Sequence, residues 1–180
     1  GGLGAFVGKE PSWRVLGFLR EALAEDDARN DALEALVEAS LVDGKGAISG
    51  RPVSDRFLLP YWTRLTWWDP PVPLADRLAV AKDLAKSSDA ERRRLGVRCC
   101  GAALALHLFD VVSPTGRLRR PVLAERKIPY TEIRQYYSGV AELLCERLTD
   151  PDALVAASAR DALAGGLRSL LLARVEPPVL

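Results

Sequence analysis

The chain has 180 residues, 48% of them hydrophobic, with 25 Lys and Arg set against 24 Asp and Glu. That is enough apolar content to bury a core as one domain. The near-zero net charge excludes any whole-molecule attraction to nucleic acid or a membrane surface, so binding of either kind would have to be local. Only five of the basic residues are lysine, and Ala and Leu are abundant, a composition that fits a helical protein from a GC-rich genome.

Methionine is absent even at position 1, which points to a processed product or an excised piece of something longer. No charged-then-apolar leader and no apolar run of roughly 20 residues is present, so a cytoplasmic location is expected. Cys99, Cys100 and Cys145 are odd in number and two are adjacent, which argues for reduced core residues over a disulfide framework.

Residues 1–10 are rich in glycine but fail the spacing of a phosphate loop. Four residues should separate the first Gly from a Gly-Lys pair that is followed by Ser or Thr, whereas Glu10 follows Lys9. A flexible N-terminal segment is expected there. Trp13, Leu16, Leu19 and Leu23 then predict a helix with one buried face. A second helix follows from about Asp27, with Leu33, Leu36, Val37 and Leu41 on one side and Gly44 ending it. The acids Glu25, Asp26 and Asp27 between them suit a helix N-terminus electrostatically and have no histidine nearby to suggest a metal.

After a loop at 44–52, Phe57, Leu58, Tyr61, Trp62, Leu65 and Trp68 recur at helical spacing until the prolines at 70, 71 and 73 stop them. Trp62, Trp67 and Trp68 lie together near Arg56 and Arg64. They suit a core wedge, and also stacking on a base or ligand. Leu74, Leu78, Ala81 and Ala85 form the next amphipathic helix.

The stretch Leu95 to Phe109 is the longest near-continuous apolar run, and it predicts the central buried helix. Ser88 and Glu91 have the spacing of a reciprocal cap at its start. Residues 110–130 break the pattern with Pro114, Pro121 and Pro129, and Arg117, Arg119, Arg120, Arg126 and Lys127 make this connection basic. It suits a solvated link between helix pairs, and also contact with phosphates. Thr131 opens a helix bearing Ile133, Tyr136, Tyr137, Val140, Leu144 and Leu148. Thr149-Asp150-Pro151 reads as a capped restart with proline in the first turn, leading to a last helix that runs to about Ala173. Residues 174–180 are an exit.

Residues 74–109 and 131–173 overlay as two helix pairs, with Leu95, Cys99 and Ala102 matched to Val155, Ala159 and Ala162. A unit of about 40 residues with this form marks stacked helical repeats. The fold class expected is all-α, with antiparallel helix pairs stacked as an α-solenoid or an irregular bundle, in one domain over residues 11–173. The segment Asp150 to Leu163 resembles the second helix of a HEAT repeat, although Val155-Ala156 stands where that family usually has Val-Arg. Residues 129–171 also resemble the helical region downstream of the ATPase in bacterial STAND and NACHT-type signalling NTPases. The likeness implies a sensor or scaffold region and brings no site residues with it.

No catalytic constellation is legible. His107 is the sole histidine, the cysteines lack metal-ligand spacing, and Cys100 lies about 10 Å along the helix axis from His107. No cofactor and no metal are expected. The first expectation is a non-catalytic protein-interaction scaffold or sensor domain, binding a protein partner or the remainder of a larger protein, with no membrane role. The alternative is a nucleic-acid-binding domain in which the basic 117–127 loop, with Arg92 to Arg94, tracks a backbone and the tryptophans stack on bases. A third is a nucleobase repair enzyme that adds Asp69 as an acid.

Overall fold

Apolar residues at helical spacing become helices throughout the described part of the chain. The computed structural model describes residues 13–23, 25, 27–42, 53–54, 58–59, 73–104 and 129–172. Among these are six helices and no strand: α1 Trp13–Ala22, α2 Arg29–Val42, α3 Leu74–Ala85, α4 Ala90–Leu104, α5 Tyr130–Arg147 and α6 Ala153–Leu172. The protein is all-α. None of the described helices is long and apolar enough to cross a membrane.

The chain divides into two compact units, one holding α1 and α2 and the other α3 to α6. In the first, Leu16, Leu19 and Leu23 are buried along one side, as are Leu33, Leu36 and Val37 of α2. The two helices pack on each other. Arg29 Nε donates to the Leu23 carbonyl at 3.1 Å, which ties the turn between them. Ser40 sits on the buried side of α2 because its hydroxyl donates back to the Leu36 carbonyl at 2.7 Å.

In the second unit α4 is the helix on which α3, α5 and α6 all pack. Leu95, Val97, Cys99, Cys100, Ala103 and Leu104 are all buried, so the central helix expected from the apolar run is present as far as it is described. Positions 105–109 lie outside the described residues. Small side chains let neighbouring backbones come close. A Cβ on Gly96 would stand 2.5 Å from the Ala85 nitrogen, so α4 meets the end of α3 backbone to backbone. On its other side Gly101 faces Ala162, and Leu104 lies against Gly166.

These contacts fix directions. Gly101 with Ala162 and Leu104 with Gly166 match early to early and late to late, so α4 and α6 run parallel. Gly139 against Leu78, with Lys86 paired to Glu146 at 3.6 Å, gives the same relation for α3 and α5. Two antiparallel pairs, α3–α4 and α5–α6, therefore lie side by side with like against like.

The starts of α4 and α6 differ in detail from the sequence expectation. Asp89, one residue after Ser88, accepts the N–H groups of Glu91 and Arg92 at 2.7 and 3.1 Å, and Ser87 Oγ accepts the Asp89 N–H. Before α6, Asp152 accepts from Leu154 and Val155 at 2.8 and 3.1 Å, and Asp150 Oδ1 accepts the Asp152 N–H. Pro151 thus precedes the helix instead of lying in its first turn. Because Asp89 and Asp152 play the same role, Cys99 matches Ala162 and Gly101 matches Ala164, a register three residues away from the overlay read in the sequence. That overlay aligned acidic residues by type, whereas the cap is set by which carboxylate faces the first free amides.

Candidate functional site

Two features stand out from this frame: a buried charge cluster where the pairs meet and an open face on α6. The cluster centres on Asp150, whose side chain is wholly buried. Arg93 grips it with two bonds, Nε to Oδ2 at 3.0 Å and Nη2 to Oδ1 at 3.2 Å. Arg147 Nη1 adds a third at 3.2 Å, and the Asp152 N–H a fourth at 3.0 Å. Burial alone would raise the carboxyl, but the Asp152 amide, the Arg93 guanidinium and the positive charge of Arg147 outweigh it and hold Asp150 below the usual carboxylate range.

The two arginines also reach the turn of the first pair. Arg93 Nη1 donates to the Ser87 and Ser88 carbonyls at 3.1 and 2.8 Å, and Arg147 Nη1 to the Ala85 carbonyl at 3.3 Å. These are carbonyls at the end of α3 and just beyond it, where cations are favoured and partners are needed. The cluster is a latch that joins turn 86–89 to turn 148–152. An ion pair taken out of water adds little net stability, but once built it penalises loss of either partner.

The latch bears on the arginines considered as a nucleic-acid surface. Arg93 is committed to Asp150, and Arg94 pairs with Glu91 at 2.9 Å and approaches Asp152 at 3.9 Å. Arg117, Arg119, Arg120, Arg126, Lys127, Trp62, Trp67 and Trp68 lie outside the described residues, as do His107 and Asp69. The latch was missed in the sequence because Asp150 is 57 residues from Arg93 and nothing local announces the pairing.

Elsewhere in the core, Tyr136 and Tyr137 stack edge to face, 5.9 Å between ring centroids, beside Cys99, Cys100 and Arg77. Burial pushes both phenols above their ordinary range and the Cys100 thiol up to about 12. Burial, reinforced by Cys100, raises Cys99 as well. Groups this reluctant to ionise are poor nucleophiles and poor general bases at neutral pH. Among the described residues no group of His, Cys, Asp and Glu is arranged to hold a metal ion.

The open face belongs to α6. Leu167 is 57% exposed and Leu171 67% exposed, one turn apart, with Ala164 one turn before them also exposed. By the cap-based register Ala164 and Leu167 are the counterparts of Gly101 and Leu104, the residues by which α4 packs on α6. So α6 presents to solvent the positions that α4 uses for packing. A sequence signal existed: leucines at 154, 163, 167, 170 and 171 cover too wide an arc for one buried face. No protein-family model, curated protein or solved structure matches the chain.

Proposed function

We propose that this chain is a non-catalytic, cytoplasmic scaffold domain that binds protein through the outer face of α6. The observation that carries this is the row Ala164, Leu167, Leu171, apolar and solvent-facing at positions whose counterparts on α4 are a helix–helix contact. Contiguous exposed apolar residues of this kind mark association surfaces. Helix pairs laid like against like bury a continuous core and offer their outer helices for binding.

The nucleic-acid alternative loses Arg93 and Arg94 to internal pairing. A photo-activated cross-linking residue at Leu171, against a control at Glu142 on the exposed side of α5, tests the proposal in cells. Defined protein adducts at position 171 and none at 142 are expected. No adduct at either, or equal smears at both, contradicts it.

A further inference from the structure

We infer that the two helix pairs of the second unit form a hinge, which pivots on apolar contacts at one end and is clasped shut at the other by the Asp150 latch. The inference concerns the seam between α3–α4 and α5–α6 and does not depend on what binds the outer face of α6.

The seam changes character along its length. At the end formed by turns 86–89 and 148–152, charged groups cross it: Arg93 to Asp150, Arg147 to the Ala85 carbonyl, Arg94 toward Asp152, and Lys86 to Glu146. Gly101 lies about 12 Å along α4 from Arg93. From there the contacts are apolar, Gly101 on Ala162 and Leu104 on Gly166, and Leu78 on Gly139 makes a contact of the same kind between α3 and α5. The covalent link is at this second end too, because residues 105–129 run from the end of α4 to the start of α5.

The two ends cost different amounts to part. Separating Leu104 from Gly166 returns apolar surface to water with nothing gained in exchange. Separating Arg93 from Asp150 loses their bonds, but it also returns to water a wholly buried carboxylate and a guanidinium 12% exposed, and the hydration recovered offsets much of that loss. The turn end is therefore the end that opens. It opens in one step, because Arg93 and Arg147 share Asp150 and both also hold carbonyls of the first pair, through bonds that fail beyond their present 2.8 to 3.3 Å by little more than an ångström or so. The angle between neighbouring pairs sets the curvature of a helical stack, so this clasp governs the shape the stack presents.

Spin-label distances test this on the whole chain, with Cys145→Ser removing the partly accessible thiol while Cys99 and Cys100 stay buried. One label pair, Ser88→Cys with Thr149→Cys, spans the turn end. Another, Asp76→Cys with Gln135→Cys, spans the other end, and all four positions are exposed. Each pair is measured with the latch intact, with Asp150→Asn and with Arg93→Gln, and helix content is followed by circular dichroism. In both latch variants the 88–149 distances should lengthen and broaden, the 76–135 distances should stay as they are, and the helical signal should be kept. Unchanged distances at the turn end, equal broadening at both ends, or opening with only one of the two variants overturns the inference. Loss of the helical signal in both variants also overturns it, since the latch would then hold the fold itself and not one end of a hinge.

Discussion

Asp150 shows how one side chain can set the relation between two helix pairs. Its carboxylate takes four hydrogen bonds in a buried site, and its pKa is below the ordinary range. A carboxyl of unfolded value about 3.9 that is lower in the folded state favours the fold when ionised. Its contribution is complete above about pH 5, a unit over the unfolded value, and is lost as pH falls through the folded value. Asp150→Ala should cost about 3 kcal/mol at neutral pH, at the low end for a broken buried pair because Arg93 and Arg147 retain 12% and 22% side-chain exposure. Thermal unfolding followed from neutral pH into the acid range should show the gap between wild type and Asp150→Asn narrowing as pH falls below the unfolded value and toward the folded one. A constant gap across the range would mean that the carboxylate charge is not what the latch uses.

The cysteines carry a second prediction at this scale. Cys99 and Cys100 are fully buried with raised pKa values, while Cys145 is partly accessible. A thiol reagent at neutral pH should therefore modify Cys145 first, with the adjacent pair reacting only on unfolding. Rapid modification of all three in the native protein would contradict the buried assignment.

At the scale of the helices, packing is set by where a Cβ is tolerated. Gly96 faces the backbone of Ala85 and Leu84, which has no side-chain end to move aside. Gly165 has nothing within 4 Å. Replacing either by alanine improves helix propensity by about 1 kcal/mol. At position 165 that gain stands alone, and the midpoint of denaturant unfolding should rise. At position 96 it is outweighed by overpacking of about 1–3 kcal/mol, and the midpoint should fall. Shifts of the same sign would show that α4 does not approach α3 as closely as described.

Helix existence was legible because Leu16, Leu19, Leu33, Leu36, Ala81 and Val140 recur at the spacing only a helix places on one side. The cap of α4 was misplaced by one residue because Ser88 and Asp89 are both competent acceptors, and only the path of the turn selects between them. The open face of α6 was harder still, since Leu163 and Leu167 look alike in sequence and differ only in what lies beside them.

For the molecule as a whole, an all-α fold follows from periodicity, whereas its function depends on faces that periodicity does not label as covered or open. The pairing of α3–α4 with α5–α6 makes that distinction concrete, because one register relates Leu104, buried against Gly166, to Leu167, exposed on the far side of the next helix. The proposed binding surface rests on this equivalence of position and difference of environment. The most direct test compares the unfolding free energies of Leu104→Ala and Leu167→Ala in dilute solution. The first should cost about 2–5 kcal/mol, as for a leucine removed from a packed core. The second should stay within about 0.5 kcal/mol of wild type. Comparable losses at both would mean that the chain itself covers the outer face of α6, leaving no surface there for a partner.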